Sequence, residues 1–205
     1  MTAERTTSST APIVGPDVHP YDVLVVGAGP AGISAALRAA ELGARTAIVE
    51  GARVGGTCVN TGCVPTRLLA RTARVLRDAQ TADDFGVEVP ASGLVWSRTA
   101  DRLRATIEHV QVAKDTAGRL AAAGVELVTE GWARFVDPHT VELSGSGRRL
   151  SGTTIILATG GRSRRLPLEG VELTTVAEKI VDLDRLPTAA VVIGSGATGS
   201  QLATV

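Results

Sequence analysis

The apolar run Val23-Leu-Val-Val26 passes directly into Gly27-Ala-Gly-Pro-Ala-Gly32, and Glu50 stands eighteen positions after Gly32. A continuous β-branched run suits a strand covered on both faces, and the glycines demand a tight turn. The Ala-rich stretch Ile33 to Leu42, ended by Gly43, suits a helix, and Arg45 to Glu50 reads as a second strand. Residues 21–50 are therefore predicted to form a βαβ unit. Gly27 makes the corner, Gly29 lets the backbone approach a pyrophosphate, Gly32 lets helix and strand pack closely, and Glu50 accepts hydrogen bonds from ribose hydroxyls. The helix that starts at Pro30 and Ala31 offers the free N–H groups of its first turn, from Ala31 onward, to phosphate. A glycine-rich turn alone is a weak signal. With a strand before it, a helix after it and an acid at the end, it reads as a dinucleotide fingerprint.

Both cysteines of the chain lie in Gly55-Gly-Thr-Cys-Val-Asn-Thr-Gly-Cys-Val-Pro-Thr-Arg67, a placement that argues for a working pair. Five residue steps can extend to about 17 Å, whereas a disulfide needs its Cα atoms within about 7 Å, so the segment has to fold back. Gly62 permits an unusual backbone angle. Pro65 with Leu68, Leu69, Thr72, Val75, Leu76 and Ala79 marks an amphipathic helix from about Thr66 to Ala79. Cys63 falls at its N-terminal end, where free N–H groups and the dipole favour a thiolate. Structural zinc needs four ligands, and His19, His109 and His139 have no ligand spacing to the pair, so no metal is expected. Two buried, inert cysteines are the bland alternative.

Twenty-one basic and twenty-one acidic residues cancel, which leaves no global field to attract nucleic acid or an anionic membrane. Arg162, Arg164 and Arg165 read as a solvated surface run, with local anion contacts as the alternative. Tyr21, Phe85, Trp96, Trp132 and Phe135 are too few aromatics for a base-stacking platform. Residues 1–20, rich in Thr, Ser and Pro, read as a loose tail and not as a secretory signal. Val23 to Ala40 is broken by glycines, Pro30 and Arg38, so it is no membrane span. A cytoplasmic protein is expected, and a reducing compartment favours a redox-active pair over a structural disulfide.

Further along, residues from about Trp96 to Ala122 read as one helix with Leu103, Ile107, Val110, Ala113, Ala117 and Leu120 on a stripe, and His109 beside it as a packed or surface residue. Gly124 to Val128 reads as a strand. Gly131 to Val136, Thr140 to Leu143 and Arg148 to Leu150 read as an antiparallel meander, and Thr154 to Ala158 as another buried strand, ending in Thr159-Gly160-Gly161. Ala190 to Ile193 reads as a strand opening into Gly194-Ser-Gly-Ala-Thr-Gly199, a second dinucleotide fingerprint with Gly194, Gly196 and Gly199 as its glycines. The chain ends at Val205, inside what should be the helix of that second site. The expected fold class is α/β: a Rossmann-like domain with a small meander over residues 21–170, then the start of a second Rossmann-like unit over residues 171–205.

Gly27 to Gly32, Glu50, Gly55-Gly-Thr-Cys-Val-Asn-Thr-Gly-Cys-Val-Pro65, Ala158-Thr-Gly160 and the second glycine turn together closely resemble the flavin-dependent pyridine nucleotide-disulfide oxidoreductases, which include glutathione reductase, dihydrolipoamide dehydrogenase and mercuric reductase. The resemblance runs from Tyr21 onward. It implies FAD on the first fingerprint, with Glu50 at the adenosine ribose, and Gly56, Thr57, Cys58, Arg67, Ala133, Ala158, Thr159 and Gly160 near the cofactor. It implies NAD(P)H on the second fingerprint. Electrons would pass from the nicotinamide through the flavin to a Cys58–Cys63 disulfide, with Cys63 on the flavin and Cys58 exchanging with a small-molecule, disulfide or metal-ion substrate. A complete relative would be a homodimer.

Three positions depart from the family's pattern. Arg67 replaces the usual Lys, Gln201 the usual Glu, and Ser163 a common proline. Arg keeps its charge but does not shift its protonation as a buried Lys can, and Gln cannot neutralise it. The family's C-terminal His-Glu pair has no counterpart here, so no general base is assigned. A different class of reading is a catalytically inactive flavin-binding or partner-binding module. A flavin monooxygenase or oxidase needs no cysteine pair.

Overall fold

The computed structural model describes residues 21–90, 93–164 and 166–205. The expectations for the tail, including His19, and for Arg165 lie outside the described residues. In chain order the elements are β1 (Tyr21–Val26), α1 (Pro30–Glu41), β2 (Thr46–Val49), α2 (Gly56–Asn60), α3 (Cys63–Gln80), α4 (Trp96–Lys114), α5 (Thr116–Ala122), β3 (Glu126–Val128), β4 (Ala133–Asp137), β5 (Thr140–Leu143), β6 (Arg149–Leu157) and α6 (Ala197–Leu202), with short 3-10 turns at Ala82–Phe85, Val171–Leu173 and Ala177–Asp182.

The expected βαβ unit forms. β1 and β2 run parallel from Val23 opposite Thr46 to Val26 opposite Val49, β3 adds in parallel beyond β2, and β6 lies parallel on the other side of β1. The strand order is β3-β2-β1-β6-β5-β4. Side chains alternate across the sheet. Leu24, Val26, Ala47 and Val49 face one way and meet Val128, Val141, Leu143 and Leu150 of the strands that follow. Val25 and Ile48 face the other way and pack with Ala36 of α1 and Leu120 of α5. The parallel strands are thus covered on both faces, by the meander on one and by helices on the other. Leu24 and Ile48 are wholly buried, so truncating either to Ala would cost about 2–5 kcal/mol.

A polar network pins the edge strand. The Tyr21 hydroxyl donates to Glu126, Arg148 bridges Glu126 at 2.8 Å and Glu130 at 3.1 Å, and the Arg45 guanidinium lies 5.3 Å from the centre of the Tyr21 ring. Burial, together with the bond to Glu126, pushes the Tyr21 phenol up to about 12. Burial alone would raise Glu126, but the bonds from Tyr21 and Arg148 outweigh it and hold the carboxyl below its usual value.

Four expectations need correction. Arg148 to Leu150 and Thr154 to Ala158 are not separate strands but parts of β6, which is antiparallel to β5 from Arg149 to Ser151 and parallel to β1 from Gly152 onward. Gly152 does not break it. The glycine sits where a Cβ would come within 2.8 Å of the Leu24 Cβ. The C-terminal half of β6 is also less covered than a buried strand, and Leu157 is 63% exposed. The helix expected over Trp96 to Ala122 is two helices, separated at Asp115, whose φ of 39° is the one positive value at a non-glycine among the described residues. The change of direction leaves Leu103, Ile107 and Leu120 buried while Ala113 and Ala117 face solvent. Finally, Ala190 to Ile193 is not a strand, and Val191 is 90% exposed. Among the described residues no neighbouring strand supplies a ladder, and a strand without one has no hydrogen bonds to hold it.

Residues 171–205 still pack on what precedes them. Trp96 Nε1 donates to the Leu183 carbonyl at 2.7 Å, Arg77 donates to the Thr204 carbonyl at 3.3 Å, and Val181 is buried.

Candidate functional site: a glycine cradle beside a dithiol

The first glycine turn bends at Gly27, whose φ of 106° is left-handed and whose missing side chain makes room for the Ala158 carbonyl at the end of β6. A Cβ on Gly32 would overlap the Gly27 carbonyl oxygen, so α1 can sit this close to β1 only with glycine there. Gly29 is different, because a Cβ there would meet nothing nearer than the Gly56 Cα at 3.9 Å. The Gly55-Gly56 segment forms a roof over the turn, with the Gly55 N–H donating to the Ala28 carbonyl at 2.8 Å. Among the described residues no backbone hydrogen bond engages the N–H groups of Gly29, Ala31 or Gly32. These three donors at the start of a twelve-residue helix are left free, the arrangement with which a helix start can receive an anion.

Glu50 closes the far side. One carboxylate oxygen accepts the Ala28 N–H and the other the Ala52 N–H, both at 2.8 Å. Each oxygen keeps a further lone pair, so the same carboxylate can shape the cradle and receive ribose hydroxyls. Ala158 is half-buried against the turn, while Thr159 and Gly160 are exposed beside it. Ala133 is half-buried and packs against the core under the meander.

The fold-back between the cysteines is built by one carbonyl. Thr57 O accepts from the Thr61 N–H at 3.0 Å and from the Gly62 N–H at 2.6 Å, which ends α2 and reverses the chain. A Cβ on Gly62 would come within 2.9 Å of that oxygen, and this close approach is what requires glycine there. α3 then starts at Cys63, earlier than the expected Thr66, with the Thr66 N–H and hydroxyl both donating to the Gly62 carbonyl at 3.0 and 2.7 Å.

Both cysteines are thiols in this structure, Cys58 half-buried and Cys63 exposed at the first position of α3. The hydrogen bond between the two sulfurs, then burial, raise the Cys58 thiol above its ordinary value, against the pull of Lys114 and Arg67. Arg67 is exposed one turn along α3, and no hydrogen bond joins it to Gln201. His109 lies exposed on α4 beside Asp101 and Thr106.

The second glycine turn has the same form as the first. Gly194 also has φ 106°, a Cβ on Gly199 would overlap the Gly194 carbonyl, and the Gly196 carbonyl accepts the Ser200 N–H at 2.9 Å at the start of α6.

Sequence reasoning missed two side chains. Asn60 donates to the carbonyls of Gly56, Val54 and Arg53 at 2.9, 3.2 and 3.3 Å, and Gln111 of α4 donates to Val54 O at 2.7 Å and Asn60 Oδ1 at 2.8 Å. Asn60 lies within the cysteine segment and could have been weighed as a loop-closing amide. Gln111 is far along the chain, and its sequence surroundings carry no sign of the contact.

The fold and the cradle define a dinucleotide-binding α/β protein. Residues 21–205 match the family model described as pyridine nucleotide-disulphide oxidoreductase, and the chain belongs to that family. It is 33% identical over 199 residues to a dihydrolipoyl dehydrogenase of Bacillus subtilis, covering 90% of this chain and 41% of the relative. It is 35% identical over 183 residues to a glutathione reductase of Nostoc sp., covering 89% and 39%. It is 34% identical over 197 residues to a soluble pyridine nucleotide transhydrogenase of Mycobacterium bovis, covering 90% and 41%. The chain thus spans about two fifths of the length of these relatives. The family is FAD- and NAD(P)H-dependent, and the free N–H groups, the open space at Gly29 and the spare lone pairs of Glu50 fit such a dinucleotide.

Proposed function

We propose that residues 21–170 are the FAD-binding and dithiol-bearing part of an NAD(P)H-dependent disulfide oxidoreductase, and that residues 171–205 open its nicotinamide-binding domain. The observation that carries this reading is the dithiol lodged beside the glycine cradle, with the Gly55-Gly56 roof of one leading directly into the α2 turn of the other. When bound, FAD supplies a two-electron relay between the nicotinamide and the sulfur pair. The chain's own residues do the rest. Gly29, Ala31 and Gly32 hold the pyrophosphate, Glu50 the ribose, and Ala158, Thr159 and Gly160 line the approach, while Gly56, Thr57, Arg67 and Ala133 complete the surroundings and Gly194, Gly196 and Gly199 receive the second dinucleotide.

The two cysteines divide the work. Cys58 keeps its proton to higher pH, and Cys63 stands exposed at the first position of α3, on the side where the helix start leaves free N–H groups. Cys63 is accordingly the sulfur toward the flavin and Cys58 the one that exchanges with a small-molecule or disulfide substrate. The complete protein acts as a homodimer in the cytoplasm.

The test is a spectrum. The chain loaded with FAD and reduced by dithiothreitol under argon is expected to show a long-wavelength absorption band that Cys63→Ser removes and Cys58→Ser retains. A band unaffected by Cys63→Ser, or no FAD retained through gel filtration, would defeat the proposal.

A further inference from the structure

α2 has five residues, too few to hold its own shape, yet it carries Cys58 and sets where that sulfur lies relative to Cys63. Its constraints are countable. The Asn60 amide closes the segment on itself through the carbonyls of Arg53, Val54 and Gly56. That closed turn is then tied to the long helix α4 through Gln111, whose two amide hydrogens go to the Val54 carbonyl at 2.7 Å and to Asn60 Oδ1 at 2.8 Å. Among the described residues Asn60 Oδ1 has no other partner. Both amides are half-buried, so each bond lost would leave an acceptor short of water. A second link between the same parts, Arg53 to Glu108 at 2.5 Å, is exposed at both ends and contributes little in solvent.

We propose that Gln111 is a positioning residue for the dithiol: by holding Asn60 and the Val54 carbonyl it fixes the α2 turn that carries Cys58 against Cys63, and so sets how strongly the pair favours its disulfide. This rests on the reading of the pair as redox-active. Holding the two thiols near each other raises the effective concentration of one at the other. Releasing α2 lowers that concentration, and the disulfide becomes easier to reduce.

The full chain is equilibrated anaerobically with reduced and oxidised dithiothreitol, then acid-quenched and its free thiols counted. In the reaction the two thiols lose two protons and two electrons as the S–S bond forms. The cyclic disulfide of dithiothreitol takes them up and opens to its dithiol. Gln111→Met removes both donors without adding charge, and roughly a ten-fold fall in the equilibrium constant for disulfide formation is expected, equivalent to a potential about 30 mV less negative. Cys58 alkylation in the same variant is expected to follow a lower pH midpoint, because the bond that the Cys58 thiol donates to the neighbouring sulfur is weakened. Glu108→Gln, which cuts the exposed link, and Ile107→Val, which loosens the buried face of α4, are both expected to leave the constant within about two-fold, as changes that reach neither sulfur.

An unchanged constant in Gln111→Met, or an equal fall in Ile107→Val, overturns the inference. If the native chain forms no intramolecular disulfide, the redox reading falls and takes this inference with it. Should Gln111→Met lose its helical circular dichroism, Gln111→Glu, which keeps the side chain's shape while removing the donors, is judged by the same equilibrium.

Discussion

At Gly29 the backbone is extended, with φ −79° and ψ −178°, a conformation open to any residue. A methyl group there meets no atom of the described residues, beyond its chain neighbours, closer than 3.9 Å, but under the proposed function it occupies the side from which the pyrophosphate approaches. Gly29→Ala is therefore expected to change unfolding free energy by less than about 0.5 kcal/mol and to weaken FAD binding by at least roughly ten-fold. Gly32→Ala forces a Cβ onto the Gly27 carbonyl and is expected to cost about 2 kcal/mol or more. Urea denaturation and flavin fluorescence quenching measured on both variants separate the two effects. Equal losses of stability would contradict the division of labour. The spacing of these glycines was legible in the sequence because each answers to a short-range clash. The backbone bonds of Glu50 were not, since they depend on where Ala28 and Ala52 come to lie in space.

Among the elements, the pins around β3 and the joint between α4 and α5 yield the sharpest expectations. Glu126 and Glu130 titrate below their usual range, so their contribution to stability is present above the unfolded carboxylate value and is lost as pH falls below about 4. Tyr21 is raised to about 12, so its contribution holds up to about pH 10 and is lost as pH rises beyond it. Cys58, also raised, adds to the alkaline loss in the same sense. Thermal unfolding is expected to show a plateau from roughly pH 5 to 9, where the Cys58 contribution begins to fall and that of Tyr21 follows, and Glu126→Gln should lower the plateau and flatten its acid side. Asp115 combines a left-handed conformation with a side chain that accepts the Gly118 N–H at 3.2 Å. Asp115→Ala is expected to destabilise the chain by about 1–2 kcal/mol, while Asp115→Asn, which tolerates that conformation and still caps, stays within about 0.5 kcal/mol in the same melts. A hydrophobic stripe running through both helices hid this joint. Apolar spacing reports which residues are covered, whereas an αL residue between two helices leaves the spacing almost intact.

For the molecule as a whole, the decisive feature is how far each strand finds neighbours. The four parallel strands were readable from apolar runs and turns, and the missing strand at Ala190 to Ile193 was not, because a strand is a property of a pair. β6 shows the same dependence. β5 accompanies it only to Ser151, and from Thr154 to Leu157 it is bonded to β1 on one side, with the other edge free among the described residues. Free edges with exposed apolar side chains invite self-pairing. The chain alone is expected to associate as its concentration rises, and Leu157→Lys to suppress that association while unfolding free energy moves by less than about 0.5 kcal/mol; light scattering with urea titration checks both. β6 is also shared, its first third belonging to the meander and the remainder to the sheet under the cradle. Neither half can melt without dragging on the other, so amide protons from Arg149 to Leu157 should exchange with deuterium through one common opening, and ligand gripped at the glycine end should slow exchange at the hairpin end as well.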